Sequence, residues 1–97
     1  MTNEKIAEAA AACKDILIGE KVAPKQFPSD HWPELDEEIL AHAHFMLDEI
    51  INVLLPANRR DKAFRWLGFV QGILWSVGLV TIDELKNQNR SDDPAKV

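Results

Sequence analysis

A chain of 97 residues, 46% hydrophobic and 28% charged, is long enough to bury one core without disulfides or a metal, and this composition excludes a disordered polymer. The formal net charge of −5 argues against a general nucleic-acid binder, whose affinity rests on neutralising phosphates, and is too modest for a mimic of DNA charge. The single cysteine, Cys13, excludes an intrachain disulfide and a four-cysteine zinc site, and its alanine-rich surroundings predict a small buried filler rather than a reactive thiol.

The polar start, Met1-Thr2-Asn3-Glu4-Lys5, lacks the apolar core of a secretion signal, so a cytoplasmic setting is expected. Strand signals are poor, since no run alternates, no Asn-Gly or Asp-Gly turn occurs and tyrosine is absent. Helical signals dominate, and the expected fold is all-α: one small helical bundle over residues 1–97.

The first helix is predicted over about 3–18. Its spacing puts Ile6, Ala9, Ala10, Cys13, Ile16 and Leu17 on one face, with Thr2 or Asn3 as cap and Gly19 as terminator. That face begins with small residues, which permit close approach of another helix. From Gly19 to Trp32 the chain reads GEKVAPKQFPSDHW, an extended connection without helical period. Val22, Phe27 and Trp32 are spaced to pin it onto a core; the competing reading makes Trp32 a partner-binding residue.

The second helix is expected over about 33–55, with Pro33 in its first turn and Glu34, Asp36, Glu37 and Glu38 complementing the positive end of its dipole. Ile39, His42, Ala43, Met46, Ile50 and Val53 form its apolar stripe, and Pro56 ends it. A third helix follows over about 58–77, stopped by Gly78. Thr81-Ile82-Asp83-Glu84 is a capping box opening a short helix over about 82–89, and the tail at 91–97 is expected to fray.

The third helix contains RWLGFVQGILW. Its apolar run from Trp66 to Val80 is fifteen residues and abuts Arg59, Arg60, Lys62 and Arg65, too short and too basic at its edge for a membrane span of about 20 residues. Gly68, Gly72 and Ser76 recur every four residues and so share a stripe, where missing side chains let two backbones approach. With so short a link around Pro56, the second and third helices should pack antiparallel, setting Ala41–His44 opposite Gly68–Gln71 and bringing His42 to Gln71 as a buried hydrogen-bonded pair. Apolar residues surround the rest of the helix, which predicts a central position. Trp66, Gly68, Phe69, Gly72, Ile73 and Ser76 are the expected packing residues, and a homodimer is expected to complete their burial.

No chemistry-bearing constellation stands out. His42 and His44 lie two apart and point about 200° apart on a helix, so they cannot share an ion. A histidine three residues after a glutamate, as di-iron bundles require, is missing: Ala41 follows Glu38 at that spacing. His44 is therefore expected to face solvent and His42 to be satisfied internally. Ser29-Asp30-His31 is a run of loop neighbours, and Ser29 or Asp30 reads more simply as a helix cap. No catalytic residue, cofactor or metal site is expected.

The basic cluster Arg59, Arg60, Lys62 and Arg65 has two readings. It pairs with Asp48 or Glu49 at the adjoining end of the second helix, with Arg65 also reaching Asp61, or it forms an anion-binding patch. The acids at one end of the hairpin and bases at the other leave a polarised surface suited to orienting a partner.

HAHFMLDEI, RWLGFVQGILW and TIDELKNQNR together resemble small helical proteins encoded by tailed bacteriophages and their prophages, over roughly residues 34–90. The shared pattern is a Trp-Leu-Gly-aromatic-x-Gln-Gly-x-Leu-Trp helix leading into a Thr-x-x-Glu-Leu capped helix. The resemblance implies a phage-encoded accessory protein of the host cytoplasm that acts through protein contacts on a host or phage assembly. The alternative is an accessory factor in nucleic-acid transactions using residues 59–65. It transfers no catalytic residue and does not cover the first thirty positions.

Overall fold

Four α-helices and one π-helical turn account for the secondary structure of residues 1–90, which the computed structural model describes; these residues include no strand. The elements are α1 (Asn3–Gly19), α2 (Asp36–Glu49), the π-helical turn (Ile50–Leu54), α3 (Arg60–Ser76) and α4 (Ile82–Asn89). The tail at 91–97, expected to fray, lies outside the described residues.

Thr2 caps α1 as its sequence position suggests, its hydroxyl accepting the Lys5 N–H at 3.1 Å. The other end differs from expectation. Gly19 is the last helical residue, and Lys21 takes the left-handed conformation (φ 62°) that closes the helix. The Val22 N–H then donates to Leu17 O at 3.0 Å and the Lys21 N–H to Ile18 O at 2.9 Å, a Schellman closure. Its register follows from Val22, which packs against the core when the turn is made two residues past the glycine. The same closure recurs at Asn58 (φ 58°), where Arg59 N–H reaches Leu54 O at 2.8 Å, and at Gly78 (φ 79°), where Leu79 N–H reaches Leu74 O at 2.9 Å.

α2 starts at Asp36, three residues later than Pro33 suggested. Leu35 occupies the cap position in extended geometry, and Glu38 reaches back to accept the Leu35 N–H at 3.1 Å. At its far end the helix widens before stopping, as expected, at Pro56. Leu55 N–H donates to Ile50 O at 3.0 Å, five residues back, so the chain passes through a π turn before Asn58 closes it.

The core joins Ile6, Ala10, Cys13 and Leu17 of α1 to Ala43, Leu47 and Ile50 and to Ala63, Leu67, Val70 and Leu74 of α3. Alanines and Cys13 on the facing stripes permit the close approach that the small face of α1 suggested. α1 packs against each of the other three helices, and α3, expected to be surrounded, instead leaves one side exposed at Phe64, Phe69 and Trp75. Lys14 and Asp48, 2.6 Å apart, tie α1 to α2 at the half-exposed rim of this core. No helix among the described residues is long and apolar enough to cross a membrane.

Candidate functional site

α3 buries one stripe, Ala63, Leu67, Val70, Gln71 and Leu74, and leaves the opposite side open. Gly68, Gly72 and Ser76 are all exposed, and a Cβ built on either glycine meets nothing within 4 Å. The small-residue stripe therefore does not pack on α2, contrary to the sequence expectation. Burying a leucine or valine contributes about 1.5–3 kcal/mol whereas glycine contributes no side chain, so the aliphatic stripe wins the core. Beside the open glycines stand Phe64, Phe69 and Trp75, 49%, 59% and 52% exposed. Trp66 and Ile73 are half-buried, and the Ser76 hydroxyl is turned back to Ile73 O at 2.8 Å.

The partner expected for Gln71 is also different. Its amide lies in a network with α4: Nε2 donates to Asn89 Oδ1 at 2.9 Å and Gln88 Oε1 at 3.2 Å, and Asn89 Nδ2 donates back to Gln71 Oε1 at 3.1 Å. The Cys13 thiol, 3.4 Å from Gln88 Oε1, faces the same group. Burial pushes that thiol up to about 11, so it stays protonated at neutral pH, the inert filler its surroundings suggested.

His42 and His44 instead fasten the 20–35 connection along α2. His44 is buried, not solvent-facing, and its Nδ1 donates to Val22 O at 2.7 Å. His42 Nδ1 accepts the Phe27 N–H at 3.1 Å, and Lys25 N–H donates to Ala41 O at 3.0 Å. An accepting nitrogen must be unprotonated; desolvation holds the His42 pKa below its usual value, and the ring stacks on Phe45 with centroids 5.7 Å apart. Alternation of the two rings around the helix thus serves two successive points of one loop, a role that spacing alone did not reveal.

Val22 does pin this loop onto the core and Phe27 is tied to His42 through its backbone N–H, but Trp32 does not pin it: it is 90% exposed. Two adjoining concavities lie beside this loop, and Trp32 borders the first. One of 510 Å³ is bounded by Phe27, Pro28, Trp32, Glu34 and Ala41; the other, of 340 Å³, by Pro28, Ile39, His42, Phe69 and Ile73. Exposed Leu35 lies three residues beyond Trp32. The structure thereby groups Trp32 with Phe69 and Ile73 on neighbouring walls. Ile39 joins them, unnoticed in the sequence because it reads as an ordinary core residue.

The four basic residues come together as expected, around a 390 Å³ concavity shared with Asn58 and Asp61 at the start of α3. The expected pairing with acidic residues is not formed, although Asp61 lines the same concavity. Asp48 is held by Lys14, and Arg59, Arg60 and Arg65 form no ion pair among the described residues. Lys62 lies over the Trp66 ring, 5.0 Å from its centroid. Arg59 stands at the cap position without a side-chain acceptor, so the positive end of α3 and three guanidinium groups share one exposed corner.

Among the described residues no three histidine, cysteine or carboxylate side chains gather as metal ligands. Asp30 and His31 form an exposed pair at 2.7 Å, which the Ser29 hydroxyl does not join, and neither Ser29 nor Asp30 caps α2. Set against known proteins, the chain matches no family model, no curated protein and no solved structure.

Proposed function

We propose that this is a non-enzymatic accessory protein that works by binding another protein, with Trp32, Leu35 and the Phe69–Ile73 edge of α3 as its contact surface. The observation carrying this reading is Trp32, fully presented on a loop that the two α2 histidines hold in place. An exposed tryptophan on a fastened scaffold is the usual anchor of a protein interface, because it adds a large contact area at small entropic cost. The concavity that Trp32 borders and the one adjoining it suit an apolar partner segment with a few polar groups. We further infer that α2 and α3 run antiparallel, since Ile39 and His42 near the start of one border the same concavity as Phe69 and Ile73 near the end of the other. A phage-type protein acting on an assembly in the bacterial cytoplasm agrees with the sequence resemblance.

The test is site-specific photocrosslinking in bacterial cells. A photoreactive residue at position 32 is expected to give one discrete protein adduct, whereas the same residue at Ile18, exposed on α1, gives none. Equal adducts from both positions, or no adduct from position 32, would sink the proposal. A second reading, accessory action on nucleic acid, is favoured by Arg59, Arg60 and Arg65, which form no ion pair among the described residues. It requires salt-sensitive retention on DNA that is lost when Arg59 and Arg60 are both changed to alanine, and absence of retention at low salt removes it.

A further inference from the structure

The outer face of α3 is largely apolar, open and covered by nothing among the described residues, and the charges of the helix indicate what covers it. Phe64, Phe69 and Trp75 line it, with the open glycines between them. α3 carries Arg59, Arg60, Lys62 and Arg65 at its start and no acidic residue after Asp61. Those cations sit at the positive end of their own helix dipole, an unfavourable placement that no described ion pair relieves. At the opposite end the carbonyls of α3 terminate beside Gly78, and α4 opens with exposed Asp83 and Glu84. The acidic first turn of α2, Asp36 to Glu38, lies toward this same end, because Ile39 shares a concavity with Ile73.

We propose that the partner of this face is a second copy of the chain, packed α3 against α3 in antiparallel fashion about a two-fold axis at Gly72. Antiparallel packing sets the basic start of each α3 against the negative dipole end and acidic corner of the other. Parallel packing would gather six arginines at one end. The spacing is symmetric about Gly72, since Gly68 and Ser76 lie four residues to either side, so the two backbones meet along small residues. One rim of the interface then collects Phe69 from both copies and the other rim collects Phe64 and Trp75 from both. Aromatic side chains bury about 150–250 Å² each, so six half-exposed ones supply on the order of 450–750 Å². A stable interface buries about 1,200–2,000 Å², so the aromatic side chains alone fall short of that range and the pair should dissociate on dilution. The inference shares only Phe69 with the foreign-partner surface, which is centred on Trp32, so failure of self-association and failure of crosslinking from position 32 are separate outcomes.

Light scattering after size exclusion, over a wide dilution range, is expected to show a mass approaching twice the 11.0 kDa of the chain at high concentration and 11.0 kDa at low. Arg60→Glu with Arg65→Glu should raise the dissociation constant at least tenfold. Orientation is read by cysteine crosslinking. Under mild oxidant Gly72→Cys should form a disulfide-linked dimer, whereas Gly68→Cys should not, because its two copies lie roughly 12 Å apart along the antiparallel pair. Both substitutions enter open space, so the fold survives them, and buried Cys13 does not compete. A mass of 11.0 kDa at every concentration overturns the proposal and leaves the face to a foreign protein. Crosslinking of Gly68→Cys as readily as Gly72→Cys overturns it in favour of parallel packing, and a dimer in which neither cysteine links overturns it by moving the interface elsewhere.

Discussion

Replacing Gly68 and Gly72 together with alanine should make the protomer more stable, not less. Each glycine sits inside α3, where it costs about 0.8–1.0 kcal/mol relative to alanine through backbone entropy. A close helix neighbour would reverse the sign, because the new methyl groups would then force the backbones apart. Here an added Cβ meets nothing within 4 Å at either position. The gain for both is therefore about 1.6–2 kcal/mol, with near additivity because the two sites share no partner. For a chain of this size that corresponds to a rise in Tm on the order of 10 °C. The assay is urea denaturation and thermal melting followed by circular dichroism, on protein dilute enough to be monomeric. At high concentration the gain should shrink, since the same methyl groups stand in the proposed α3–α3 contact. A loss of stability at dilution would refute the reasoning and would place the glycines back inside the fold.

Lys21→Gly should stabilise by about 1 kcal/mol, seen as a higher urea midpoint with unchanged slope, because lysine pays for a left-handed φ of 62° that glycine adopts freely. Gln71→Leu removes the amide that Gln88 and Asn89 share; a cost of about 1–2 kcal/mol is expected, with faster amide exchange across α4 and little change in α1. The pH dependence follows from His42, whose folded pKa is lowered below 6.5. Its contribution is fully present above 6.5 and is lost as pH falls from there through the folded value, because the unfolded state binds the proton more readily. A His42→Asn variant, which keeps an acceptor for the Phe27 N–H, should lose that part of the pH slope in a series of melts. Trp32→Ala should leave stability within about 0.5 kcal/mol, as expected for a side chain with nothing to unpack. A larger fall would mean that the tryptophan anchors the loop after all.

Much of this fold is carried by local physics and is readable without coordinates. The α1 stripe from Ile6 to Leu17, the Thr2 cap, the Thr81–Glu84 capping box and the Gly78 stop each depend on residues within one or two turns of one another. Helical periodicity and cap chemistry decide such features before the chain collapses. The co-location of the four basic residues at the start of α3 is of the same kind. Tertiary structure decided the rest, wherever two segments competed for one place. α3 offers two stripes suited to packing, Leu67–Val70–Leu74 and Gly68–Gly72–Ser76, and only the area gained against α1 and α2 selects the first. Val22 moves the end of α1 past Gly19 because its contact with the core offsets the strain at Lys21. Gln71 turns to Asn89 and His44 to Val22 because a buried polar group takes whichever partner the packing delivers, and Asp48 goes to Lys14 rather than to the arginines for the same reason. Short-range preference settled where helices form, whereas the choice of which face goes inside required the whole chain, since burial energy belongs to pairs of elements and not to either one alone.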